Sequence, residues 1–100
     1  MAKGSNFQAD LLKKLKNPKF AAHYITAAME ENDEDFLSQA LSDVVKAHGT
    51  SKIAKASHLT RQALYKMFSP KGNPTLQSVN SILGAVGLRV SIEPKRKRSA

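Results

Sequence analysis

Residues 49–69, GTSKIAKASHLTRQALYKMFS from Gly49 to Ser69, decide the fold. The stretch divides into two short helices joined by a tight turn over Ser57–Leu59, with Thr60 as the cap that opens the second helix to about Phe68. Ile53, Ala54, Leu59, Leu64, Met67 and Phe68 fall where two steeply crossed helices touch, and Ala54 is small enough to let their backbones approach. Arg61, Gln62, Tyr65 and Lys66 then face outward from the second helix. That arrangement, a helix-turn-helix, is one that reads DNA.

The charge distribution supports a polyanionic partner. The net charge is +8 over 100 residues, but six acids (Glu30, Glu31, Asp33, Glu34, Asp35, Asp43) stand between Glu30 and Asp43 without a Lys or Arg. From Lys46 onward there are eleven Lys or Arg against one acid, Glu93. Lys and Arg that displace condensed counterions supply most of the affinity for a phosphate backbone, so the basic half points to nucleic acid; a merely solubilising surface is the other reading of that charge.

Composition bounds the rest. A chain of this length with 41% hydrophobic residues makes one domain with one core. Without cysteine there is neither a disulfide framework nor a thiolate metal site. No apolar run reaches the roughly 20 residues of a membrane span and no secretory or lipidation signal opens the chain, so no membrane association and a cytoplasmic location are expected. His23, His48 and His58 are scattered without carboxylate or thiol partners, which argues against metal or nucleophile chemistry. The acidic run lacks the glycine of a calcium loop, and Lys71-Gly72 lacks a phosphate-cradling loop. No enzyme activity and no cofactor are expected.

Outside the opening stretch the pattern predicts an all-α chain of five to six helices with one short C-terminal strand. Residues 1–8 have no period and read as a mobile lead; Asp10 caps a short helix with the stripe Leu11, Leu12 and Leu15. Asn17-Pro18 is a cap followed by proline at the first helical position, and the helix it opens is expected to bury Phe20, Tyr24, Ile25, Ala28 and Met29. Asp33-Glu34-Asp35 opens the next, whose apolar face is Phe36, Leu37, Ala40, Leu41, Val44 and Val45. Gly49 stops it as a left-handed C-cap, after which Thr50 or Ser51 caps the first helix of the DNA-reading pair.

After the Ser69–Asn73 loop, Asn73-Pro74 repeats the cap-and-proline start, and Leu76, Val79, Ile82, Leu83 and Val86 form the inner face of a helix closed by Gly87. Gly84 inside that helix costs about 1 kcal/mol relative to alanine and is explained if it permits close packing. Leu88-Arg89-Val90-Ser91-Ile92 alternates like a half-buried strand. Such a strand needs a partner from a second copy or another protein; an extended tail packed on the last helix fits the same residues. The division expected is an N-terminal helical extension (1–32), a DNA-binding domain with its terminal strand (33–94) and a basic tail (95–100).

Residues 10–94 resemble the HigA-like antidote (antitoxin) proteins of bacterial toxin–antitoxin modules, a branch of the Cro/repressor-type helix-turn-helix family. The likeness rests on the order and spacing of Asp10-Leu11-Leu12, Asn17-Pro18 with Phe20-Ala21 and Tyr24, Ser51-Lys52-Ile53-Ala54-Lys55, Leu59-Thr60-Arg61 with Leu64-Tyr65-Lys66, Gly72-Asn73-Pro74 with Leu76, and Ala85 to Pro94. Two positions depart from the pattern. His58 replaces the usual glycine of the turn, and Gly84 stands where a helix-favouring residue is more common.

The resemblance implies that the start of the second helix enters the major groove. Arg61 would pair with guanine O6 and N7, or with a phosphate, and Gln62 would bond adenine. Tyr65 and Lys66 would reach bases or phosphates one turn on, although Tyr65 also suits partial burial against the preceding helix. Thr50, Ser51, Lys52, Thr60, Ser69, Lys71 and Asn73 flank the groove as phosphate contacts or as plain caps. A homodimer on an inverted repeat in its own promoter, with half-sites about 34 Å or a multiple apart, is the expected target.

As an antidote the chain would also hold a small basic ribonuclease toxin, for which Glu30, Glu31, Glu34 and Asp35 are the candidate surface and the strand at 88–92 the second choice. A stand-alone repressor without a toxin, or an architectural DNA binder without sequence preference, are the other classes. A neighbouring reading frame for a basic protein of about 100 residues favours the antitoxin. Deleting residues 1–32 should abolish toxin binding and spare DNA binding, unless Phe20, Tyr24 and Ile25 belong to the main core.

Overall fold

The computed structural model describes residues 3–95, with side chains from residue 7 onward. Among the described residues there are six helices and no strand: α1 (Lys3–Leu15), α2 (Pro18–Glu30), α3 (Glu34–His48), α4 (Thr50–Ser57), α5 (Arg61–Met67) and α6 (Leu76–Ala85). No helix among them is long and apolar enough to cross a membrane. The all-α expectation holds. The helix α3 is the organising element, since α1, α2 and α4 all pack on it, while α4 also meets α5 and α6.

Local chemistry sets most helix starts. The Asn17 side chain accepts from the backbone N–H groups of Lys19 and Phe20 (2.8 and 3.2 Å) with Pro18 at the first helical position. Asp33 caps α3 through Asp35 N–H (2.9 Å), and Thr60 caps α5 through Ala63 N–H (2.9 Å). Two starts differ from expectation. Gly49 (φ 97°) ends α3 and begins α4 at once, its carbonyl accepting from Ile53 N–H, so Thr50 and Ser51 lie inside the first turn rather than capping it. Thr75, not Asn73, caps α6 through Ser78 N–H (3.0 Å). The α-carbon of Gly72 lies so close to the Lys66 and Met67 carbonyls that a Cβ there would collide with them; Asn73 and Pro74 are thus spent on crossing from α5 to α6.

One apolar core runs through the bundle. Leu15 of α1 and Ala21 and Ile25 of α2 belong to the same buried cluster as Leu41, Val44, Ile53, Leu64 and Ile82. Leu59, Met67 and Phe68 pack against it, as the spacing around the α4–α5 turn predicts. Several residues assigned to the interior are at the surface instead: Phe20, Met29, Phe36 (53% exposed) and Leu76 (69% exposed). Each lies at or within a turn of a helix end, where no neighbouring element covers it.

Three further expectations are corrected. Residues 3–8 are helical rather than a mobile lead, and Asp10 is inside α1 instead of capping it. The first two turns bury nothing from Phe7 to Asp10, hence the missing period. The predicted strand at 88–92 has no regular secondary structure, and among the described residues there is no second strand to pair with it; Leu88 and Val90 pack on the core while Ile92 is 92% exposed. Of the basic tail only Lys95 is described, and residues 96–100 lie outside the described residues.

Gly84 is also not a close-packing device. A Cβ there would meet nothing within 4 Å. The helix end needs only the backbone carbonyl of residue 84, which any residue supplies: Leu88 N–H reaches Leu83 O (2.8 Å) and Gly87 N–H reaches Gly84 O (3.2 Å), with Gly87 at φ 85°. Gly84→Ala is therefore expected to stabilise the protein by about 1 kcal/mol and raise Tm by roughly 4–8 °C. An unchanged thermal melt would count against this assignment.

Candidate nucleic-acid interface

The helix α5 has only seven residues, too few to be stable alone, so its orientation is borrowed from the core. Leu64 is fully buried and fixes which face looks in. Arg61, Gln62, Tyr65 and Lys66 consequently share the exposed side. The preceding turn holds this geometry: His58 adopts the left-handed conformation (φ 63°, ψ 27°), and Leu59 N–H returns to Ala54 O (3.0 Å). A glycine would sit there without strain, whereas histidine costs on the order of 1 kcal/mol.

Arg61 and Tyr65 are one turn apart and touch. The guanidinium Nη2 donates to Tyr65 Oη at 3.4 Å, and its carbon is 6.0 Å from the ring centroid. The hydrogen bond and charge from Arg61 hold the Tyr65 hydroxyl below its ordinary pKa. Tyr65 is 55% exposed, and its inner edge joins Thr50, Lys46 and Phe68 along a groove between α3, α4 and α5, so partial burial beside α4 and an outward hydroxyl occur together.

The remaining candidates divide by position. Ser51 and Lys52 are exposed in the first turn of α4, beside Thr50. Lys66, Lys71 and Asn73 line a second groove between α5 and the loop leading to α6. Thr60 and Ser69 already have structural work: Thr60 caps α5, and the Ser69 hydroxyl donates to Lys66 O at 2.8 Å. Glu30, Glu31, Glu34 and Asp35 are exposed at the junction of α2 and α3, away from both grooves.

One polar cluster escaped the sequence reading. Asp43 is 4% exposed in the middle of α3, yet both oxygens are satisfied, Oδ2 by Tyr24 Oη (2.8 Å) and Oδ1 by Gln39 Nε2 (3.1 Å). Burial first, then the hydrogen bond to Asp43 and its negative charge, push the Tyr24 hydroxyl up to about 12. It stays a neutral donor at physiological pH and ties α2 to α3. The available signal was an acid embedded among Ala40, Leu41, Val44, Val45 and Ala47.

No solved structure matches the chain. An uncharacterized protein of Haemophilus influenzae is 30% identical over 73 residues, covering 73% of this chain and 75% of that relative. Residues 5–94 match a family described as "probable addiction module antidote protein". With the match running from α1 through the segment that follows α6, the chain belongs to the family of probable addiction module antidote proteins.

Proposed function

We propose that the chain is the antitoxin of a bacterial toxin–antitoxin pair, of HigA-like type with a Cro/repressor-type helix-turn-helix. In this reading it binds an inverted repeat in its own promoter as a homodimer, represses that operon in the cytoplasm, and neutralises a small ribonuclease-type toxin. The observation that carries the DNA half is the division of labour on α5: Leu64 alone is spent fully on the core, while Arg61, Gln62, Tyr65 and Lys66 are all turned to solvent. The antidote family supports the toxin half.

Arg61 and Gln62 stand at the N-terminal end of α5, where a groove-reading helix meets base edges, and Tyr65 and Lys66 follow one turn later. Thr50, Ser51, Lys52 and Thr60 on one side, with Ser69, Lys71 and Asn73 on the other, would flank the phosphates. Glu30, Glu31, Glu34 and Asp35 would meet the toxin, because a protein that holds RNA carries the opposite charge.

A mobility-shift series on the promoter and on random DNA tests the reading. Arg61→Ala is expected to lose roughly 1–3 kcal/mol on the promoter site and to relax preference at one base position. Lys71→Ala should weaken all DNA alike and lower the salt slope by about one. Equal losses for Arg61→Ala on both DNAs would reassign it to the backbone, and a wild-type chain without site preference would remove the repressor role. Co-purification with the product of the adjacent reading frame decides between an antitoxin and a stand-alone regulator.

A further inference from the structure

Between α2 and α3 lies an open cleft of about 280 Å³. Ala27, Ala28 and Ala40 line it with small groups, and Phe36 borders it while remaining 53% exposed. Glu31 and Gln39 supply its polar edge. Tyr24, also in the lining, donates to Asp43 and joins α2 to α3 at the wall of the cleft. An aromatic ring left in water beside an open apolar cleft is a surface suited to receive a side chain.

Charge selects the occupant. Glu34 and Asp35 directly precede Phe36, and Glu30 adjoins Glu31, so the apolar cleft is bordered by exposed carboxylates on a chain of net charge +8. Such a corner repels a phosphate backbone and suits an apolar anchor carried between Lys or Arg side chains. We infer that the α2–α3 cleft, with Phe36 as its contact ring, receives an apolar side chain from a basic segment of the toxin. The inference rests on the antitoxin reading and deepens it, turning the acids into a rim that steers and the cleft into the seat that retains.

Rim and seat differ kinetically. Removing rim charge lowers k_on and weakens its salt dependence, whereas damaging a desolvated anchor site raises k_off. The experiment uses the full chain and the purified product of the adjacent reading frame, with binding followed by surface plasmon resonance at two salt concentrations. Phe36→Ala is expected to weaken binding about 30-fold through k_off, the scale of an interface hot spot. Ala27→Trp, which fills the cleft from an exposed helical position without removing any core atom, should do the same. Paired Glu31→Lys and Glu34→Lys should slow association and flatten its salt response.

The outcomes separate the two ideas. If the wild-type chain does not bind that protein, the antitoxin reading falls and takes the cleft assignment with it. If it binds, and both Phe36→Ala and Ala27→Trp bind with unchanged k_off while keeping the wild-type helical signal, the cleft assignment alone is overturned. A shift in the sedimentation of the isolated chain on introducing either substitution would assign the cleft to self-association and overturn it as well.

Discussion

A chain lacking residues 1–32 is expected not to fold. The truncation removes Leu15, Ala21 and Ile25 from the common core and strips α1 and α2 from two sides of α3. Full burial of one large aliphatic side chain contributes about 1.5–3 kcal/mol, while a domain of this size has a total stability of roughly 5–15 kcal/mol. The loss is therefore comparable with the whole. Ile25 belongs to the main core and Tyr24 packs against it, while Phe20, 37% exposed, stacks on Tyr24. Circular dichroism of the truncated chain should show no cooperative melt, and a transition within a few degrees of the full chain would sink the expectation.

Leu64→Ala should have the second largest effect, about 2–5 kcal/mol of stability. The side chain is completely buried and is the main anchor of a helix too short to persist by itself. At about 4–8 °C per kcal/mol, Tm should fall by at least roughly 8 °C. Promoter and random DNA should lose affinity together, because the whole reading face loosens rather than one contact. This distinguishes it from Arg61→Ala, whose loss is confined to the promoter. Leu64→Met, close in volume, is expected to cost less than about 1.5 kcal/mol. A Leu64→Ala variant melting with the wild type would mean that α5 is held by something other than this side chain.

What could be read in advance divides by the range of the interactions. Asn17-Pro18, Asp33 and Thr60 declare their helices because a cap is satisfied two or three residues along the chain. The α4–α5 crossing was legible in the same way, since Ile53, Ala54, Leu59, Leu64, Met67 and Phe68 carry its contacts within one short segment. Gly49 ends α3 as its position predicts, but the starts of α4 and α6 fall at Gly49 and Thr75 rather than at Thr50 or Ser51 and at Asn73, because those starts depend on where the neighbouring helix lies. Phe36 and Leu76 were assigned inward by periodicity, which places a residue on a face without saying how far the covering element extends. The Leu88–Ile92 alternation is real, but a strand needs a partner that no described segment supplies.

The candidate site shows the same limit. Outward-facing Arg61, Gln62, Tyr65 and Lys66 follow from local spacing, whereas the Arg61–Tyr65 contact and the groove shared with Lys46 need the assembled fold. Asp43 reads in the sequence only as the last acid of the Glu30–Asp43 stretch, because nothing near it in the chain announces Tyr24, nineteen residues away.

The helix α3 carries Glu34 and Asp35 in its first turn and Lys46 and His48 in its last, about 22 Å away for fifteen residues. Its backbone alone would place positive charge at the first end and negative at the second; the side chains reverse and exceed that polarity. The helix α3 thus has an acidic end beside α2 and a basic end that runs straight into α4. If the chain binds DNA as proposed, the field of the polyanion would exert a torque on this helix as well as a pull, turning α5 toward the phosphates before contact and the acidic end outward. At physiological ionic strength the field decays over about 8 Å, less than the length of α3, so the turning is confined to the last stage of approach. A molecule captured in that pose would present its anionic end to solvent, where a cationic toxin could meet it without displacing the DNA.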